Sequence, residues 1–563
     1  MRRTKLYISK SDVVYVDNDG MHDIRSLSAE YNKTTKKIDS LIPEMSGIFY
    51  LLNFYKYIYI LNNMDISRRN FLGTGLFGAT IASIGKTAEK QPKPFELCGV
   101  DDAKKFVFGS DPLRVRKSFY DLTDDEVKNL CRAVGYMRNS IPLELSTSWE
   151  SYARIHYKHC TAWDADHPQV HWGWHFLPWH RGYIFFLERI LANCLSKQGY
   201  NGASFAYPYW DWTNNAEMPN TKERIERGLA SPLFGYDLTK QNMVKGDNLG
   251  FDNLALYDGN RGPTIDKSRM DPNLETQEDS KQHIQECRNY MSHEYINLML
   301  TTPWEQFMGK PGIDQKTGQG LLESGAHNDG HDWVGTRYGC NRNMGTLRYA
   351  ANDPIFFMHH ANLDRIWSLY KNTMPDVNGP WGEQRYVYPD LDGSPVSVSV
   401  KEIFLWTQSV SYQAPSIESF KLKSSPRQIN SINSVAFNIN KSTTAKAGLS
   451  VTIEPDESTK AFIRSGWFDA ISLLEVETGP ISHKGRARID VYVGKTYVGR
   501  IKIMDGDPST TSPKASHTFT MTLGELGNII KAVPTSGKFD LNFYTYGLDK
   551  DVLIKNVKLI VMK

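Results

Sequence analysis

The histidines of this chain are spread very unevenly, and their distribution constrains the fold more than any other feature. Ten of the fifteen lie in two segments, 156–180 and 327–360. The first, HYKHCTAWDADHPQVHWGWHFLPWH, holds His156, His159, His167, His171, His175 and His180 with one cysteine, Cys160. The second holds His327 and His331, four apart in ESGAHNDGHDWVG, and the adjacent pair His359 and His360 in NDPIFFMHHANLDRIW. Imidazoles four apart share one face of a helix and can grip one metal ion. A lone histidine is usually an ordinary polar or core residue. Ten in two clusters, each beside a tryptophan-rich helical pattern, point instead to metal ligation, and that requires the fold to bring distant segments together.

An all-imidazole donor set suits zinc, copper, iron or nickel. Neither segment has the Glu-x-x-His pairs of di-iron bundles or the HExxH motif of zinc hydrolases, so the pattern leans toward copper. Spacing alone leaves the metal open. The six cysteines are scattered without a CxxC pair, which argues against a disulfide scaffold or thiolate-bound zinc. With 66 basic and 63 acidic residues, the charge is too balanced to suggest a nucleic-acid partner. The basic stretch from Lys484 to Lys502 alternates with Ile, Val and Tyr and reads as the solvated face of a strand.

The 563 residues suffice for two or three domains. From about residue 110 to 370 the patterns are mainly helical. Thr123 and Glu126 form a capping-box signature, FLPWHRGYIFFLERILANCL is a long apolar run with Pro178 near its start, and TTPWEQFM suggests a helix capped by Thr302. Polar, Gly- and Asp-rich sequence between 214 and 280 reads as loops. Beyond a Ser/Pro-containing linker at 413–434, short alternating runs such as VAFNI, ARIDVYVG and KFDLNFYTYG indicate a separate all-β, sandwich-like domain over 435–563. At the other end, MDISRRNFLGTGLFGATIASIG resembles a twin-arginine export signal over 64–90, with 1–63 as an upstream extension. The apolar run 47–61 is too short and too polar for a membrane span. The signal implies a periplasmic or extracellular destination, or the thylakoid lumen in a plant.

At the histidine segments the chain resembles the type-3 dicopper proteins: tyrosinases, catechol oxidases (polyphenol oxidases) and hemocyanins. The first motif reads H-x4-F-L-P-W-H-R-x2-I-x3-E from His171 to Glu188. The second reads D-P-x-F-F-x2-H-x3-D from Asp353 to Asp364, and YPYWDW at 207–212 is a further matching fragment. The resemblance covers about 110–412 and implies a mainly α dicopper core over 91–412, with a four-helix bundle holding the site. GKFDLNFYTYG and the domain order resemble the β domain that caps plant-type polyphenol oxidases, so the C-terminal domain is expected to act as an intramolecular lid on a latent enzyme.

Carried over by position, the resemblance makes His156, His171 and His180 ligands of the first copper, and His327, His331 and His360 ligands of the second. His359 falls on the non-ligand position, and His159, His167 and His175 have no ligand counterpart. Cys160 matches the cysteine that forms a thioether to the second histidine, here His171. Glu323 and Asn328 match an acid–amide pair that holds a water as candidate base, and Leu347 replaces the aromatic gate of the plant-type enzymes. Carboxylates at Glu188 and Asp364 are either partners of ligand imidazoles or members of a structural ion pair. The implied activity is oxidation of o-diphenols to o-quinones by dioxygen, with monophenol hydroxylation as an extension. A hemocyanin-like oxygen carrier is the alternative. No nucleic acid and no stable membrane insertion are expected.

Overall fold

The computed structural model describes most of residues 99–161, 170–214, 286–415 and 429–562, together with Leu256 and the backbone of three short strands before residue 24. The twin-arginine stretch, the run at 47–61, His167, Leu347 and nearly all of the polar region 215–280 lie outside the described residues. Met1–Pro92 forms a unit of its own, in which Lys5–Ile8, Val13–Asp17 and Gly20–Asp23 make a three-stranded antiparallel sheet. Lys93–Lys563 forms the other unit, with a helical part followed by a β part.

Helix α1 (Asp124–Asn139) starts with the expected capping box. The Thr123 hydroxyl accepts from the Glu126 N–H, and the Glu126 carboxylate accepts from the Thr123 N–H. Helices α2 (Trp149–Thr161) and α3 (Phe176–Lys197) follow. Helix α3 is buried at every position from Phe176 to Glu188, as its apolar run requires of a helix covered on all sides. Helix α4 (His293–Thr301) precedes a π-helical turn, Leu322–His327, that continues into α5 (Asn328–Gly335). Helix α6 (Pro354–Leu369) begins with Asp353 accepting from the Ile355 N–H and Pro354 in the first turn. The TTPWEQFM helix starts one residue later than its sequence suggests. Pro303 takes the cap position, and the Thr302 hydroxyl turns back to the Met299 carbonyl.

A buried ionic knot ties this bundle together. Arg116, on strand β1 (Arg114–Arg116), which pairs in parallel with β3 (Val410–Tyr412), lies 3.0 Å from Glu188 on α3 and 3.2 Å from Asp364 on α6. Asp364 also accepts from Arg181 and from the Tyr412 hydroxyl, and Glu188 accepts from the Tyr207 N–H. The two motif carboxylates are therefore structural partners of arginine rather than of imidazoles. Each of these charges is matched, as burial demands.

The β part is a sandwich of two sheets. One has the order β4 (Ile432–Ser442), β11 (Leu553–Met562), β6 (Ile471–Thr478), β9 (Ser516–Thr522) and β2 (Lys316–Gln319). The other has the order β5 (Leu449–Ile453), β10 (Phe539–Leu548), β7 (His483–Val493) and β8 (Thr496–Ile503). Val476, Ile489, Val491, Phe543 and Val557 belong to its apolar core. Two features depart from the sequence reading. Strand β2 belongs to the helical part, yet it closes the five-stranded sheet by parallel pairing with β9, so the sandwich is not self-contained. The basic stretch also does not face solvent throughout: Arg500 and Lys502 are buried. Arg500 pairs with Asp490 and Glu286, and Lys502 pairs with Asp329 on α5. Acidic partners supplied from the helical part make that burial tolerable.

Candidate metal centre

Four helical segments bring the histidines together. His156 comes from α2, His180 from α3, His327 and His331 from the π turn and α5, and His359 and His360 from α6. His171 sits on the turn that leads into α3. The residue after it, Trp172, has φ of 71°, a left-handed conformation that is costly for a bulky side chain. Its backbone is held on both sides: its N–H donates to Glu323 Oε1 at 2.6 Å, and its carbonyl accepts from the Gly318 N–H at 2.9 Å.

One nitrogen from each of His156, His171 and His180 falls within a sphere of ligand contact, every pair within 4.8 Å. The rings of His171 and His180 are 5.0 Å apart, and those of His156 and His171 are 5.3 Å apart. The second cluster faces the first. His180 stacks on His360 at 4.0 Å, and His171 lies 5.7 Å from His327. All six expected ligands are buried.

Distance alone groups His327 and His331 with His359 rather than His360. The hydrogen bonds favour the opposite choice. His359 Nε2 donates to the His327 carbonyl at 3.1 Å, and its Nδ1 accepts from the Trp212 indole at 3.0 Å. Both of its ring nitrogens are therefore used. His360 Nε2 instead lies 3.4 Å from His331 Nε2, about the 3.3 Å expected between two nitrogens on one tetrahedral metal. We therefore assign His360 to the cluster and give His359 the task of supporting His327.

The tautomers are fixed by the groups behind the rings. His180 Nδ1 donates to the Phe176 carbonyl, His331 Nδ1 to the Met344 carbonyl, and His327 Nδ1 to Asn328 Oδ1. In each ring the lone pair is then left on Nε2. Those of His180 and His327 are buried without a hydrogen-bond partner, which is the condition expected of a metal ligand. Burial lowers the pKa of His171 to about 3 and that of His331 to about 4. It also holds His180, His327 and His360 well below the ordinary histidine range. Neutral imidazoles are what divalent and cuprous ions require. The donor set thus fits a pair of three-imidazole metal sites.

The remaining candidates divide clearly. Burial raises the Glu323 carboxyl to about 8, against hydrogen bonds from the Trp172 N–H and from Gln319. Asn328 adjoins it through Gln319, which sequence reading passed over. His175 bonds the Tyr386 hydroxyl at 2.7 Å, and His159 lies 5.1 Å from the Trp179 ring, so both are built into the core around the site. Cys160 is on α2, but its side chain lies outside the described residues, as does Leu347.

Residues 146–373 match the model of the common central domain of tyrosinase. In that segment, which holds both histidine clusters, the chain is similar to the tyrosinases and polyphenol oxidases, type-3 copper proteins. It is 27% identical over 340 residues to a chloroplastic polyphenol oxidase of Spinacia oleracea, covering 56% of this chain and 49% of that protein. Against a tyrosinase of Hahella sp. it is 28% identical over 319 residues, covering 52% of this chain and 61% of that protein. The matches to the curated plant relatives thus span about half their length. A structure of latent aurone synthase, a polyphenol oxidase, superposes with a TM-score of 0.56 at 22% identity, covering 85% of this chain and 95% of that one. That likeness concerns the fold, a helical core followed by β-sheets. The two histidine clusters fit the dicopper site of this family.

Proposed function

We propose that this chain is a polyphenol oxidase that oxidises o-diphenols to o-quinones with dioxygen, latent while its C-terminal part covers the site. The observation that carries the reading is the facing of two neutral three-imidazole clusters with a fixed tautomer in each. A copper pair held there would relay electrons from catechol to dioxygen, two catechols giving two o-quinones for each dioxygen reduced to water. His156, His171 and His180 would hold one ion, and His327, His331 and His360 the other.

The protein's own contribution is orientation and exclusion of water. Phe356 lies 4.6 Å from His156 and 4.2 Å from His360, and Phe176 lies 4.6 Å from His327. These rings keep the imidazoles dry and unprotonated. Glu323 and Asn328 would hold a water that takes the proton of an incoming phenol, with monophenol hydroxylation as the second activity. Plant relatives named polyphenol oxidase and catechol oxidase, and the bacterial relative named tyrosinase, support both parts. Latency is supported by His517 and Phe519 of β9, whose rings lie 4.1 and 5.9 Å from Trp172 beside His171. The Cys160–His171 thioether belongs to the same reading. It would appear as a cross-linked peptide lighter by two hydrogens, with the bound copper and dioxygen as oxidant.

We further propose that the twin-arginine segment at 64–90 exports the folded, copper-loaded chain, and that Leu347 leaves a roomier entrance than an aromatic gate. No helix among the described residues is long and apolar enough to cross a membrane. The deciding experiment is copper loading followed by oxygenation. A near-ultraviolet band is expected, with quinone formation from catechol that rises after limited proteolysis. A band without quinone under either condition would replace the oxidase with an oxygen carrier, and the lack of any band would remove the dicopper reading.

A further inference from the structure

We infer that Gln319 is a positioning residue that couples the acid–amide pair Glu323 and Asn328 to the second histidine cluster, an inference that rests on the dicopper reading above. The hydrogen bonds form one chain with a single polarity. His327 Nδ1–H donates to Asn328 Oδ1 at 2.9 Å, Asn328 Nδ2 donates to Gln319 Oε1 at 3.2 Å, and Gln319 Nε2 donates to Glu323 Oε1 at 3.4 Å. That polarity is forced. A ligand His327 needs its lone pair on Nε2, so the proton is on Nδ1, and this fixes the orientation of both amides in turn. Gln319 is the only polar group joining Asn328 to Glu323 among the described hydrogen bonds. It is 5% exposed, so the bonds are not exchanged with bulk water.

The chain ends on a carboxylate with one oxygen in use and one in reserve. Glu323 Oε1 accepts from Gln319 and from the Trp172 N–H, while Oε2 is buried without a hydrogen-bond partner. Gln319 therefore aims Glu323 so that Oε2 is the oxygen left to face a water or a phenol. At the same time it aims Asn328 at the ligand imidazole. Its backbone has little freedom to follow any other course. Gln319 ends β2, opposite Phe519 of β9, and bridges Gly309 on its other side. A Cβ on Gly320, the next residue, would lie 2.4 Å from the Phe307 carbonyl oxygen.

The test uses the full chain and the variant Gln319→Met, which keeps the length of the side chain and removes the amide. Copper affinity is measured by competition with a chelator, and monophenol and catechol turnover are measured on the loaded protein. The expected result is a loss of about tenfold in affinity for the more weakly held copper, the size typical of losing a partner behind a ligand imidazole. The ratio of monophenol to catechol turnover should fall with it. Asn328→Ala should show at least the same affinity loss, and adding Gln319→Met to it should change the affinity no further. Affinity kept within twofold in Gln319→Met, or losses that multiply independently in the double variant, would overturn the inference. If Gln319→Met does not fold, Gln319→Asn, whose amide is one methylene short, carries the same readouts. A parent chain that binds no copper would instead overturn the dicopper reading itself.

Discussion

The two halves of the metal centre are built from the same ligand but supported from different sides. The first half draws His156 and His180 from α2 and α3, helices packed within the helical core, and His171 from a turn with a left-handed tryptophan. The second half draws His327 and His331 from the π turn and α5, and the outer side of this segment is bonded to the sandwich. Lys502 pairs with Asp329, the Ser324 hydroxyl donates to the Thr520 carbonyl, and Gln319 lies in the shared sheet. The difference shows where control can act. Displacing the β part would disturb the surroundings of the second cluster and the Trp172 turn while leaving α2 and α3 in place.

The largest effect tests whether the halves are equivalent in chemistry despite this difference in support. His180→Ala and His327→Ala each remove one of three imidazoles from a cluster. Each is expected to reduce catechol turnover by about a thousandfold and to lower the copper content toward one per chain. Metal analysis with turnover measurement checks both. An active His327→Ala protein would show that the second cluster takes no part.

Next come two buried cations, one for each kind of support. Arg116→Met leaves Glu188 without its arginine inside the bundle and Asp364 with Arg181 alone. Lys502→Met leaves Asp329 and Glu286 without their lysine at the junction with the sandwich. Each should cost on the order of 3 kcal/mol, because the charges left behind are buried. The outcomes should differ in kind. Arg116→Met should lower the melting temperature of the helical part and the activity together. Lys502→Met should speed proteolytic cleavage of the β part and raise catechol turnover before proteolysis. If Lys502→Met instead behaves like Arg116→Met, the junction is part of the core and the lid reading loses its support.

How much of this was legible in the sequence follows the same division. The spacing of His171 and His180, of His327 and His331, and the capping box at Thr123 are local, and the helices form where those signals lie. Choosing between His359 and His360 is not local, because it depends on Trp212 and on the His327 carbonyl. Glu188 and Asp364 could be read two ways until Arg116, far from both in sequence, showed them to be structural. Two strands escaped notice for opposite reasons. Ile471–Thr478 is buried at seven of its eight positions and shows no alternation, while Ser516–Thr522 is disguised by serine and threonine. Arg500 and Lys502 looked solvated because alternation reveals a strand's faces but not whether the polar face meets water or a partner. Gln319 carries no motif at all. Its role exists only because β2 closes a sheet whose other strands lie more than a hundred residues downstream.

The smallest effect concerns pH and acts on the contact between the two parts. His517 on β9 lies against Trp172, with its Nδ1 bonded to the Thr317 hydroxyl at 3.0 Å. Burial, aided by Lys555, lowers its pKa from 6.5 to about 3. A base with a depressed pKa stays neutral while docked but takes up a proton once exposed. The docked form is therefore fully favoured above pH 6.5 and loses its advantage as the pH falls from 6.5 toward 3. Each pH unit in that window should shift the docking equilibrium by about tenfold toward the open form. Catechol turnover assayed at neutral pH after a brief acid exposure, together with protease sensitivity during that exposure, measures the shift. His517→Phe keeps a ring against Trp172 and removes the titration, so its docking should lose this component of the pH dependence. If the parent and His517→Phe open along the same acid profile, the trigger lies elsewhere, and the contact between β9 and Trp172 is packing alone.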